Sequence, residues 1–193
     1  MPSRVNADVK RREVIAQAAE LFDRAGYHTT SVAAVAEAAG IRKPTLYHYF
    51  SGKDEILFWI HEEFIDLLIE KQRARECRSA GETLLAIIGD VLDLMRTHRG
   101  HVRVFFEHHR ELSAADQETI EAKRDAYRRM VEDVVARGVE TGEFRAVDPR
   151  LTTLAVFGMC NWAYQWYRPD GPLDSGEIAA FFFDLLFNGL RGR

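Results

Sequence analysis

Between Ser31 and Leu57 the chain reads SVAAVAEAAGIRKPTLYHYFSGKDEIL, with two short stretches of helical period separated by one glycine. Neither stretch is long enough to hold as an isolated helix in water. Each must lie against the other and against something larger, so the segment demands a small helix-on-helix core. Counting Val32 as the first position, Ala36 is fifth, Gly40 ninth, Ile41 tenth and Leu46 fifteenth. A small residue at the fifth place lets the helices approach closely, and glycine at the ninth admits the left-handed backbone of a tight turn. Val35, Ile41 and Leu46 are expected to fill the core between them. That leaves Arg42, Lys43, Thr45, Tyr47, His48 and Tyr49 around the exposed side.

The rest of the chain also keeps a helical period, which predicts an all-α fold of about nine helices. A first helix runs through DVKRREVIAQAAELFDRAGY, with Val9, Arg12, Ile15, Ala16, Ala19 and Phe22 near one face and Gly26 closing it. Thr30 or Ser31 caps the second helix, and Pro44 is tolerated in the first turn of the third. Ser51, followed by Asp54, resembles a capping box opening a long helix from about Lys53 to Arg75. Five more helices follow: Ala80–Thr97, His101–Glu111, Gln117–Thr141, one from Asp148-Pro149 to Tyr167, and Ser175–Leu190.

Composition narrows the class. The 193 residues are 47% hydrophobic and 29% charged, which fits a globular chain and excludes general disorder. The N-terminal stretch lacks the apolar core of a secretory signal, and no apolar run reaches a membrane span, so a cytoplasmic protein without a membrane partner is expected. Cys77 and Cys160 match neither a CxxC pair nor a disulfide framework. Residues 1–53 carry eight Lys/Arg against five Asp/Glu, whereas the whole chain has net charge −4. A basic head on an acidic body fits a polyanion partner for the head. Long donors at the start of a short helix suit the DNA major groove, where they reach base edges and phosphates.

TTSVAAVAEAAGIRKPTLYHYFSGKDEIL resembles the DNA-binding domain of the TetR family of transcriptional regulators, over about residues 8–57. The resemblance implies a homodimer, with a helix-turn-helix domain at 1–52 and a ligand-binding and dimerisation domain at 53–193. It implies contacts to double-stranded operator DNA from Thr29, Thr30 or Ser31 ahead of the second helix. Others come from Arg42, Lys43, Pro44, Tyr47, His48 and Tyr49 on the recognition helix, and Lys53 faces a phosphate. Pro44 stands where glycine is frequent and Tyr49 where histidine is common. Farther on, VFGMCNWAYQWYRPDGPLDSGEI is similar to a helix junction in the TetR branch that responds to acyl-CoA and related thioesters. The expected function is a repressor released from a palindromic operator by a small lipophilic effector, without enzymatic activity and without a cofactor.

Other residues carry two readings each. Met159, Trp162, Trp166 and Arg168 form a wall for the effector or part of a core or dimer interface. Phe105, Phe106, Tyr127 and Met130 line a pocket or pack as plain core. Ile178, Phe181, Phe182, Leu185 and Leu186 make a stripe broader than one chain's last helix needs, as a two-fold helical interface would require. Lys10, Arg11 and Arg12 face phosphates or solvent. The competing enzyme class is a metal-dependent hydrolase using His101, Glu107 and His108, although HRGHVRVFFEHH lacks an HExxH pattern and no metal is expected.

Overall fold

Helix starts and stops follow local chemistry throughout the computed structural model, which describes residues 4–76 and 78–190; Cys77 lies outside them. The helices are α1 (Arg4–Ala25), α2 (Val32–Ala38), α3 (Lys43–Leu46), α4 (Lys53–Arg73) and α5 (Ala80–Thr97). They continue as α6 (Arg99–Glu107), α7 (Ala114–Glu140), α8 (Pro149–Trp162) and α9 (Ser175–Leu190). No strand occurs among the described residues. Gly26, Gly40 and Gly142 sit at φ of +87°, +64° and +72°, the left-handed backbone at which α1, α2 and α7 end. Ser31 caps α2 by accepting from the Ala34 amide, and Asp148 caps α8 by accepting from Leu151.

Two helices are shorter than their sequence pattern suggests. The expected His101–Glu111 helix starts earlier, at Arg99, and passes into a 3-10 turn at His109–Glu111. α8 gives way to a 3-10 turn at Ala163–Gln165 rather than running to Tyr167. The Ser51 cap also differs. Its amide and hydroxyl both donate to Glu55, at 2.7 and 2.9 Å, because Asp54 is taken by the Tyr27 hydroxyl.

The chain divides into two compact units. One comprises residues up to Phe64 together with 99–121, and the other comprises 65–98 together with residues from Ala122 onward. In the first, α6 and α2 both pack against α1. Its core holds Val14, Ile15, Ala18, Ala19 and Phe22 of α1, with Val35, Leu46, Phe50, Ile56, Leu57, Ile60 and Val104. Val9, Arg12 and Ala16, expected on that face, are exposed instead, because the stripe that α6 covers lies a fraction of a turn away. At Gly100, α6 lies so close that a Cβ would stand 2.8 Å from the Ala19 carbonyl carbon. Arg103 of α6 pairs with Asp23 of α1 at 3.1 Å, and His28 with Glu111 at 3.0 Å.

In the second unit, α5 packs along α9. Leu84, Ile87, Ile88, Val91 and Leu92 of α5 are buried, as are Val131 and Val135 of α7, Val156 and Cys160 of α8, and Ile178 of α9. Glu143 accepts from the Ala80 and Gly81 amides at 2.8 and 2.7 Å, placing a carboxylate on the positive end of α5.

Candidate nucleic-acid interface

α3 is a single turn, held from within by Leu46, whose complete burial stabilises by roughly 2 kcal/mol. The Leu46 amide donates to the Arg42 carbonyl at 3.1 Å, and the Tyr47 amide to the Lys43 carbonyl at 3.3 Å. Pro44 falls in the first turn, where its missing N–H leaves no helical bond unmade. Val35 and Ala36 of α2 are buried, while Ile41 is only half-buried, so the small core rests mainly on Val35 and Leu46.

With Leu46 inward, Arg42, Lys43, Pro44, Tyr47 and His48 are exposed, Tyr47 at 49%. Thr45 and Tyr49 are half-buried. Arg42 and Tyr47, which flank α3, and Lys43 within it are all exposed, with Lys43 Nζ 6.0 Å from the Tyr47 ring centre. Thr29 and Ser31 are exposed beside the start of α2. Thr30 is not: it is buried, and its hydroxyl donates to the Gly26 carbonyl at 2.8 Å, closing the loop after α1.

Lys53 is engaged within the protein. Its Nζ donates to the carbonyls of Tyr27 and Thr30 at 2.7 and 3.2 Å and lies 4.2 Å from the Tyr27 ring centre. The Tyr27 hydroxyl donates to Asp54, and burial, that bond and the Asp54 charge hold the phenol well above its usual value. Lys10 donates to Glu13 and to the Ala39 carbonyl, while Arg11 lies over Trp59 and pairs with Glu55 at 3.5 Å. Of Lys10, Arg11 and Arg12, Arg12 has the exposed side chain.

The candidate effector residues fall into different settings. Phe105 and Phe106 belong to the first unit, where Phe105 lies 4.4 Å from Phe64 and 5.3 Å from Phe106, ring centre to ring centre. Tyr127 is buried in the second unit and stacks on Phe157 at 5.7 Å. Burial, then the nearby Asp90 charge, pushes its phenol up. Met130 and Met159 are half-buried. Trp162 and Trp166 are 64% and 45% exposed, and Arg168 is exposed too.

The last helix also separates. Phe181 and Leu185 are 66% and 58% exposed, and Phe182 and Leu186 half-buried. Ile178 is buried within its own chain, so it belongs to that chain's core and not to a surface a second copy can reach. Leu151, Leu154, Trp162 and Trp166 add large exposed apolar groups on and after α8, and Trp166 meets Phe182 edge-on at 6.3 Å.

The histidines of HRGHVRVFFEHH diverge. His101 is buried with Nε2 3.5 Å from Glu63, and His108 lies 5.9 Å from the Tyr27 ring. Among the described residues, no three His, Cys, Asp or Glu side chains are grouped to share a metal ion. No helix among them is long and apolar enough to cross a membrane.

Comparison with known proteins identifies the family. Residues 14–59 match the family model described as bacterial regulatory proteins, tetR family. Residues 77–190 match the one described as tetracyclin repressor-like, C-terminal domain. The HTH-type transcriptional repressor KstR2 of Mycobacterium tuberculosis (strain ATCC 25618 / H37Rv) is 27% identical over 188 residues, covering 94% of this chain and 92% of that protein. The TetR family transcriptional regulator PfmR from Thermus thermophilus superposes with a TM-score of 0.86 at 33% identity, over 93% of this chain and 99% of that one. AibR, solved in complex with isovaleryl coenzyme A and operator DNA, superposes with a TM-score of 0.81 at 28% identity, over 92% and 98%. With a helix-turn-helix built around Gly40 and both family models matched in order, the chain belongs to the TetR family of bacterial transcriptional regulators.

Proposed function

We propose that this chain is a dimeric transcriptional repressor that a CoA thioester of a lipophilic acid releases from its operator. The observation that carries the DNA reading is the division of the segment around α3: Leu46 is buried, while Lys43 of α3 and the flanking Arg42, Tyr47 and His48 are exposed. A two-fold pair would place α3 of each copy in successive major grooves, about 34–36 Å apart or a multiple of that distance. Thr29, Ser31, Pro44, Thr45 and Tyr49 would lie along the same contact. The exposed apolar groups of α8 and α9, with Trp162 and Trp166 among them, supply the face for the second copy.

The effector class rests on likeness. AibR was solved with isovaleryl coenzyme A, and the stretch WYRPDGPL resembles the thioester-responsive branch. Such an effector acts by preferring the conformation that does not bind DNA. Tyr127, Met130 and Met159 are the side chains of the second unit through which it would be felt. The named relatives are regulators, and none is a hydrolase.

Fluorescence anisotropy on duplex DNA from the region upstream of the chain's own gene tests both parts. Isovaleryl-CoA and longer acyl-CoAs are expected to release the DNA, and free CoA and free acids are not. Binding that no thioester disturbs removes the effector class alone. Tyr47→Ala is expected to lower operator affinity at least about tenfold, from lost groove contacts, in a protein that remains folded and dimeric. Unchanged affinity in that variant removes the placement of α3 on DNA.

A further inference from the structure

Lys53 is the first residue of α4, and its ammonium is already engaged. Of its three N–H donors, one reaches the Tyr27 carbonyl at 2.7 Å and another the Thr30 carbonyl at 3.2 Å. The charge also lies 4.2 Å from the centre of the Tyr27 ring, in the range where a ring face attracts a cation. Both carbonyls belong to the loop between α1 and α2, and Thr30 immediately precedes Ser31, the cap of α2.

The other side of the same contact is equally occupied. Tyr27 is buried, its ring packs edge-on against Phe22 at 5.1 Å, and its hydroxyl donates to Asp54, the next residue of α4. One tyrosine is thus held by its carbonyl, its ring and its hydroxyl, and two consecutive α4 residues supply most of that hold. The loop has little freedom to shift without breaking several charge-assisted bonds together.

We propose that Lys53 is a positioning residue for DNA recognition: it fastens the loop carrying Ser31 to the first turn of α4, thereby setting the pose of α2 and α3, and it keeps that role in the DNA complex instead of turning to a phosphate. The proposal rests on the DNA-binding reading above. It gives one lysine a different task from the one its sequence position suggests, and the two tasks have different ionic-strength signatures. A lysine that neutralises a phosphate releases a counterion, so its loss flattens the log–log salt dependence by about 0.9 and weakens binding to every sequence alike. A lysine that sets the pose of the reading helices contributes to specific binding only.

Lys53→Met, measured on the upstream duplex and on a random-sequence duplex across a salt series, separates these. The expected result is at least about a tenfold loss on the upstream duplex, with an unchanged salt slope and unchanged affinity for random sequence. A slope flatter by about one unit with equal losses on both duplexes overturns the proposal. A second measurement uses the wild-type protein. With 13C-labelled lysine, the Lys53 ε-methylene protons are expected upfield under the Tyr27 ring, in the free protein and with saturating DNA alike. Ordinary lysine shifts in the free protein, or their appearance on adding DNA, overturn it. A wild type that binds neither duplex refutes instead the DNA reading on which the proposal rests.

Discussion

The Arg11 guanidinium lies 3.8 Å from the centre of the Trp59 ring, and 5.2 Å from that of Phe50. A planar, weakly hydrated cation suits an aromatic face, so this residue joins α1 to α4 by stacking and not only by charge. Arg11→Met keeps the apolar stem and removes the cation. It is expected to lower stability by about 1 kcal/mol, read as an earlier urea midpoint at fixed protein concentration. An unchanged midpoint would mean that the stack contributes nothing.

Arg11 also pairs with Glu55. Burial pushes that carboxyl upward, but the Ser51 amide and hydroxyl, Trp59 and the Arg11 charge together outweigh it and hold it below its ordinary value of 4.5. A group depressed in this way adds stability above its unfolded pKa and loses it as pH falls through the folded one. The stability gap between wild type and Glu55→Gln is therefore expected to be full near neutral pH and to close once pH drops below about 4.5. Equilibrium unfolding as a function of pH checks this, and a gap constant down to about pH 3 counts against it.

Gly100 admits no side chain. An added Cβ would stand 2.8 Å from the Ala19 carbonyl carbon and 2.9 Å from the Glu20 nitrogen, both backbone atoms that cannot step aside. Gly100→Ala is expected to cost about 1–3 kcal/mol by forcing α6 off α1, despite alanine's better helix propensity. A melting temperature equal to or above wild type would show that α6 can give way there without cost.

Cys160 is buried, and burial pushes its thiol up to about 12. Only the thiolate reacts, so this cysteine is expected to be inert at physiological pH. In a Cys77→Ser background, Ellman's reagent should label it no faster than the protein unfolds. Rapid labelling of the native protein would contradict the burial.

Phe181 places an aromatic ring 66% exposed on α9. Phe181→Glu puts a charge within the proposed interface between copies, where an unpaired carboxylate is costly. Light scattering is expected to report a monomer while circular dichroism retains full helix content. A variant that remains dimeric would move the interface elsewhere.

How far these features were legible depends on the distance over which each is decided. Gly26, Gly40 and Gly142 announce helix ends because a left-handed backbone is a local requirement. Ser31 and Asp148 announce helix starts for the same reason. The period of α1 also points Val9, Arg12 and Ala16 inward, yet they are exposed because α6, far along the chain, decides which stripe is covered. Ser51 found Glu55 instead of Asp54 because Tyr27 claims Asp54 from the other side. Lys53 carries no local sign that two carbonyls of an earlier loop will hold it. Glu143, which caps α5 from 62 positions beyond Gly81, is equally invisible to a local pattern. On α9 the periodicity marked both Ile178 and Phe181 as apolar but could not divide them between one chain's core and its surface.

The first unit draws on two separated lengths of chain, residues up to Phe64 and 99–121. A gene fragment encoding only the first length would keep every candidate DNA-reading side chain. It would leave Ala19 without Gly100, Asp23 without Arg103 and Tyr27 without His108. Such a head is not an interchangeable cassette. Recombination that trades the reading helices between relatives must carry α6 along or find a recipient whose own α6 already fits, so operator preference and the helices that follow it are inherited as linked characters.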